Sequence, residues 1–230
     1  MKGDMLTVGA LTESDITAMF ALMEEFYAQT DEAVFRRDLA GKDYVLLLRE
    51  SERIVGFTTQ KLLTVEADGE PVHGMFSGDT IIDKAHWGEA ELFRVWSQFW
   101  FPYAKQYPEF WWFLICKGYK TYRILPTFWA EFYPTFRRET PAREQAIMDA
   151  YAKALYGEEY DPVSGVIRYR HTKDKLREGV ADIDEHRLKN RDIAYFSERN
   201  PGHVNGEDLV CLAKIDISAM KPRSPKVLGI

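Results

Sequence analysis

FSGDTIIDKAHWGEAELFRVW, residues Phe76 to Trp96, decides how this chain is read. Phe76 to Ile82 has the composition of a strand, and Trp87-Gly88 marks a tight polar turn. Leu92, Val95, Trp96 and, just beyond, Phe99 recur at helical spacing. A strand that feeds a helix leaves the first helical N–H groups without partners. Those groups favour an anion or a polarised carbonyl. What this junction binds is therefore the central question about function.

Upstream, Asp68-Gly69 predicts a hairpin turn, since glycine tolerates the positive φ required. It joins a strand over Ile54 to Val65 to one over Val72 to Ile82. Tyr44 to Leu48 precedes them across a polar turn at Glu50 to Arg53, giving an antiparallel meander. Leu6 to Val8 predicts a short strand. Thr12 or Ser14 caps a helix whose apolar face is Ile16, Met19, Phe20, Met23 and Phe26. Asp31 caps a second, short helix with Val34, Phe35 and Leu39.

Downstream, FWFPYAKQYPEFWWFLI is broken by Pro102, Lys105, Pro108 and Glu109. It reads as a helix end, a loop and a buried strand. Phe110 to Ile115 is apolar throughout, as in a strand covered on both faces. Tyr119 to Phe132 predicts a helix kinked at Pro126. Thr140-Pro141 predicts a helix start with Thr as the cap, and Gly157 its end. Val163 to Tyr169 and Leu209 to Ile217 predict strands. Asp174 to Arg199 is charged and predicts an exposed helix, and Ser218 to Ile230 a tail.

The chain has 230 residues, 46% hydrophobic, enough for one elaborated domain or two small ones. Its net charge of −6 argues against nucleic acid as a general partner. The basic residues Arg168, Arg170 and Lys173 support RNA only weakly. No apolar run approaches the roughly 20 residues of a membrane span. The two cysteines, Cys116 and Cys211, form no disulfide framework, and a reducing cytoplasm is expected. The five histidines lack ligand spacing, so no metal is expected. Cys116 is read as a small apolar residue rather than a nucleophile, and His86 as a surface turn residue.

The element order is strand, two helices, three antiparallel strands, helix, strand, helix. With the strand-turn-helix junction, it resembles the GNAT-type acyl-CoA N-acyltransferases over roughly residues 5 to 136. The family junction runs valine, aspartate, proline, any residue, aromatic, then Arg/Gln-Gly-x-Gly-x-Gly/Ala. Ile82-Asp83-Lys84-Ala85-His86 falls on its first part and Trp87-Gly88-Glu89-Ala90-Glu91-Leu92 on its loop. Only the first glycine survives, with Ala90 as a partial substitute. A register shifted by two residues places Gly88 and Ala90 at the second and third small positions, but Ala85 at the Arg/Gln position. Glu89 and Glu91 set carboxylates where the family binds pyrophosphate, each costing on the order of 1 kcal/mol. A carrier-protein thioester, with a single phosphodiester, suffers less.

The resemblance implies an α/β (α+β) fold: a mixed sheet with an N-terminal antiparallel meander, a splayed central strand pair and flanking helices. Residues 1–138 form the GNAT-like domain. Residues 139–230 form a C-terminal extension, with a helix, a charged helical segment and two strands packed on the same core. The activity implied is N-acyl transfer from a pantetheine thioester, on CoA or an acyl carrier protein, to a primary amine of a small molecule. The strand Phe76 to Ile82 parts from its parallel neighbour at a bulge near Gly78, and an N–H near Ile82 polarises the thioester carbonyl. Asp79, a carboxylate in an apolar strand, is the expected base. Tyr133 is the expected acid toward sulfur. Ile81, Ile82, Asp83, Trp87, Gly88, Glu89 and Ala90 are expected to hold the cosubstrate, together with Lys117, Tyr119 and Arg123 from the KGYKTYR turn. The aromatics from Phe93 to Trp129 either accommodate a long acyl chain or fill the core. The rival reading is a non-catalytic GNAT-like domain that binds a ligand or a protein partner, or forms a homodimer through its C-terminal segment.

Overall fold

The computed structural model describes residues 1–171 and 173–230. β1 (Lys2–Thr7) leads to α1 (Glu13–Phe26), where Thr12 and Asp15 form a reciprocal capping box. β2 (Tyr27–Ala28) and α2 (Glu32–Ala40) follow, and Asp31 accepts from the Val34 N–H at 2.9 Å. β3 (Tyr44–Glu50), β4 (Arg53–Ala67) and β5 (Glu70–Ile82) make the meander. Asp68 and Gly69 both have positive φ, 53° and 79°, which matches the twist of the β4–β5 hairpin.

α3 (Glu91–Ala104) returns the chain to β6 (Trp111–Cys116). Next come α4 (Tyr119–Tyr122), α5 (Ile124–Phe128) and α6 (Ala142–Tyr156). β7 (Tyr160–Asp161), β8 (Val166–Ile167) and β9 (Lys175–Leu176) are two-residue strands. α7 (Glu185–Leu188), α8 (Arg191–Arg199), β10 (Asp208–Lys214) and α9 (Ser224–Leu228) complete the chain.

Eight strands form one mixed sheet in the order β1-β3-β4-β5-β6-β10-β8-β7, with β5–β6 its parallel pair. Side chains alternate across it, as the two-residue period requires. Leu46, Leu48, Met75, Trp112 and Leu114 face the α3 side. Val45 and Leu47 face α1 and α2, while Phe76, Trp111 and Phe113 face α6. Both faces of the central strands are thus covered, which explains the unbroken apolar run of β6.

The aromatics after Phe93 largely fill the α3 side of the core. Trp112 lies 4.7 Å from Trp96 and 5.1 Å from Trp129 between ring centroids. Most are packing material, while Phe93 and Phe128 also line an apolar cavity. Pro102 does not break α3. It sits exposed in the last turn, where the carbonyl it leaves unbonded can be hydrated.

Several boundaries differ from expectation for identifiable reasons. The segment after Phe128 is extended, because its backbone pairs with Ala219 and Leu212. The cap of α6 is Pro141, whose carbonyl accepts from Gln145, and Thr140 makes no cap bond. Only Val166–Ile167 of the expected strand is paired, because Asp161 binds Val163 N–H and the Ser164 hydroxyl and closes a turn. The Asp174 to Arg199 stretch is broken into β9, α7 and α8, and Phe196 is fully buried. The expected tail is docked: Leu228 is buried against the α3 side.

Candidate active site at the parted strands

β5 and β6 pair from Gly74↔Trp111 to Ser77↔Leu114 and then separate. β5 stays zipped to β4 on its other edge, through Thr80↔Thr58, Ile81↔Phe57 and Ile82↔Gly56. The register slips between these pairs: Gly78 and Asp79 together face the single residue Thr59. Such a bulge bends the strand and adds twist. It turns β5 away from β6 and leaves one edge of residues 78–82 without a strand partner among the described residues. Glycine is needed here, since a Cβ at Gly78 would lie 2.7 Å from Thr59 Oγ1 and 3.0 Å from Lys42 Cε.

Two cavities open from this parting. The larger, about 460 Å³ and mostly apolar, runs along Thr80, Ile81 and Ile82 to the junction. Trp87, Gly88, Glu89, Ala90, Tyr119 and Arg123 line it, so the structure gathers these sequence-predicted residues. Gly88 has φ of 96°, and no side chain caps α3 among the described residues. The leading amides of α3 are therefore free for an anion.

The two carboxylates expected to oppose such an anion are engaged. His86 Nδ1 lies 3.1 Å from Glu89 Oε1, and Arg94 pairs with Glu91. His86 is buried and holds this turn, which corrects its reading as a surface residue. Opposite, Lys120 stacks its ammonium 3.1 Å from the Trp87 ring centre. Burial, with Arg187 and Lys84 nearby, pulls Lys120 down to about 8. An incoming phosphate would relieve that stress.

The smaller cavity, about 110 Å³, is polar and lies on the other side of Gly78 and Asp79. Tyr27, Thr80 and Thr121 line both cavities and mark where they meet. Asp79 opens into the polar one. Burial pushes its carboxyl up to about 6, with Asp38 and Asp174 adding to the rise and Lys42 and Lys173 opposing it. Burial likewise drives the Tyr27 phenol well above its usual range, helped by Asp79, Asp174 and Asp208.

Lys117 is not in the junction. Its ammonium donates to the Asp174 carboxylate and carbonyl, both at 2.8 Å, and lies 3.7 Å from Asp208. Tyr169 donates to the same Asp208 carboxylate at 2.7 Å. Burial acts to raise Asp174, but Lys117 and Lys173 outweigh it and hold the carboxyl low. Lys117 is thus committed to a buried ion network.

Tyr133 is also elsewhere. Its backbone bridges Leu212 in β10, its side chain packs on the α6 side, and it lines neither cavity. Asp83 accepts from Ala85 N–H at 3.0 Å and pairs with Arg53 at 2.9 Å, so it shapes the turn. Cys116 is buried, and its thiol is pushed well up by that burial.

A third, nearly closed space of about 10 Å³ lies behind the bulge, between Gly78, Trp96, Trp112, Leu114 and Ile115. Residues the sequence did not single out are Tyr27, Asp38, Lys42, Thr121 and Asp174. The i,i+4 spacing of Asp38 and Lys42 is a local signal for their pair. The Lys117–Asp174 contact spans 57 residues and has none.

No family model matches the chain, and no curated protein matches it. Many solved structures overlay in part, three of them as follows. A probable N-acyltransferase from Enterococcus faecalis has a TM-score of 0.39 at 16% identity, over 54% of this chain. The chain spans only 32% of that protein's length. Arabidopsis thaliana NAA60, in complex with a bisubstrate analogue, gives 0.40 at 13% identity, over 57% of this chain and 86% of that one. An aminoglycoside acetyltransferase from an uncultured soil metagenomic sample, in complex with sisomicin, gives 0.40 at 18% identity, over 61% and 91%. Overlaps this shallow add nothing to the strand pairing itself, which has the meander, the bulge and the parted parallel pair expected from the sequence.

Proposed function

We propose that the protein transfers a short acyl group from a pantetheine thioester, such as acyl-CoA, to the primary amine of a small molecule. One observation carries this reading: an apolar cavity and a polar cavity meet at Thr80, on the free edge that the Gly78–Asp79 bulge creates. The apolar cavity suits a pantetheine arm. The free α3 amides, Lys120 and Arg123 suit its phosphates. The polar cavity suits the amine, and backbone N–H groups along the free edge near Ile82 suit the developing oxyanion.

Asp79 accepts the proton that the attacking amine must shed, directly or through water. A carboxyl near 6 is ionised at neutral pH yet basic enough to serve. Tyr27, in place of Tyr133, is the phenol at the meeting point. Its raised pKa makes full proton transfer to sulfur uphill, so its service is a hydrogen bond to the departing thiolate. The small space behind the bulge limits the acyl group to acetyl or little more.

A specific contact favours the non-catalytic alternative. The Trp87 indole N–H donates to the Ile82 carbonyl at 2.8 Å and occupies an acceptor in the region a pantetheine amide would approach. Calorimetric titration with acetyl-CoA, octanoyl-CoA and an acetylated carrier protein separates the two readings. Acetyl-CoA binding with a micromolar Kd is expected, and octanoyl-CoA at least tenfold weaker. Failure of all three thioesters to bind removes the enzyme.

A further inference from the structure

Building on the acyl-transfer reading above, we propose that the acceptor is a small zwitterion, an α-amino acid or a near relative, with its carboxylate on Lys173 and its amino group facing Asp79.

Most of the charges in the polar cavity already have partners. Asp38 pairs with Lys42. Lys117 pairs with Asp174 and Asp208, and Lys173 reaches Asp174 at 3.1 Å. Asp79 alone among these groups has neither a hydrogen bond nor an ion pair among the described residues, although it opens into the cavity. Four aspartates against three lysines leave one negative charge in excess when all are ionised. Asp79 is half-buried, and a carboxylate drawn partly out of water without a partner is costly, which a cation relieves. An ammonium group is therefore the complement of Asp79.

Lys173 supplies the other half. Its side chain is 37% exposed, and its carboxylate partner is shared with Lys117. An ammonium has three N–H donors, so Lys173 keeps donors to spare beside the cavity. Lys42 and Lys117, by contrast, are nearly covered. A cavity of about 110 Å³ admits only a few heavy atoms. A ligand with opposite charges a few ångströms apart answers both ends at once, which a simple alkylamine does not.

The chemistry balances. The acceptor arrives as an ammonium and loses one proton through Asp79 to solvent. Its nitrogen forms the N–C bond as the C–S bond breaks. The second nitrogen proton ends on the released thiol. The products are an amide, a thiol and one proton.

The test follows thiol release from acetyl-CoA with matched pairs: glycine and methylamine, alanine and ethylamine, serine and ethanolamine. Rates are corrected for the fraction of free amine, and wild type is compared with Lys173→Gln. The expected result is a tenfold or greater kcat/KM advantage for each amino acid, expressed in KM. That advantage, read as the ratio within each pair, should vanish in Lys173→Gln, because any effect of the lost lysine on Asp79 falls on both members of a pair alike. Equal rates within the pairs, or a preference that survives Lys173→Gln, overturn the zwitterion and leave acyl transfer standing. Acetyl-CoA binding with no transfer to any of the six amines also overturns it. No binding of acetyl-CoA removes the acyl-transfer reading, and this one with it.

Discussion

Asp79→Asn should slow the proposed acyl transfer and stabilise the protein at the same time, with a pH dependence that identifies the carboxylate. The folded carboxyl sits at about 6 against an ordinary value of 3.8, mainly through burial. Below pH 3.8 both the folded and unfolded chains hold the proton, and the site carries no penalty. Between 3.8 and 6 the unfolded chain ionises while the folded one keeps its proton, so stability falls as pH rises. Above 6 the loss is complete, at roughly 3 kcal/mol for a shift of this size. Asn has nearly the same shape and never ionises. An amide without partners costs about 1 kcal/mol, leaving a net gain of roughly 2 kcal/mol at pH 8 and a net loss of roughly 0.5 kcal/mol at pH 4.

Urea denaturation of both proteins across that range reads this difference directly. The charged groups that set it are Asp38 in α2, Lys42 just beyond it, and Lys173 and Asp174 before β9, while Lys117 and Asp208 line the same cavity. The acetyl-transfer rate of the wild type should fall below pH 6 as Asp79 protonates. The variant should lose about 10²- to 10⁴-fold in kcat, as expected for removal of a general base. It should lose that acidic limb as well. A stability difference that is flat with pH, or a variant weaker than wild type at pH 8, would refute the desolvated carboxylate. A rate profile unchanged in the variant would refute the base.

Three further outcomes follow from the same geometry. Lys117→Met leaves Asp208 with only the Tyr169 hydroxyl and Asp174 with only Lys173, and should cost about 3 kcal/mol in thermal or urea denaturation, with acetyl-CoA affinity intact wherever the protein remains folded. Lys120→Gln should weaken acetyl-CoA binding by about 10- to 100-fold in calorimetry, as expected for a lost charge-assisted phosphate contact. Binding of free pantetheine, which lacks phosphate, should be unchanged. Tyr27→Phe should lower kcat with little change in KM for acetyl-CoA, whereas Tyr133→Phe should leave transfer rates at wild-type level, since Tyr133 lines neither cavity.

What sequence could convey here was local chemistry with a fixed geometric consequence. Asp68-Gly69 specifies a hairpin turn, Thr12 and Asp31 specify helix starts, and the apolar run of β6 specifies a strand covered on both sides. Gly78 in an otherwise apolar strand pointed to the bulge, and hence to the parting of β5 from β6. Where expectation failed, a distant partner decided the outcome. The residues after Phe128 read as helix, but Leu212 and Ala219 offer backbone partners that an isolated segment lacks. The Asp161 turn was legible in Asp161-Pro162-Val163-Ser164-Gly165, and the alternating apolar residues beyond it masked the signal.

The lysines of KGYKTYR show why a basic turn at a sheet end is an ambiguous sign. Lys117 and Lys120 are three residues apart and chemically identical, yet they serve opposite ends of the cleft. Lys117 lies where β6 has just left its partner. It turns inward to Asp174 and Asp208, two carboxylates brought there by the chain's last third. Lys120 lies one turn further, on α4, where Lys84 and Arg187 crowd it and no ion pair neutralises it among the described residues. The first lysine is satisfied by the fold and the second is strained by it. An unsatisfied cation beside uncapped helix amides gains most from an incoming phosphate, so under the proposed function anion affinity at this junction is expected of Lys120 rather than of the lysine that ends the strand.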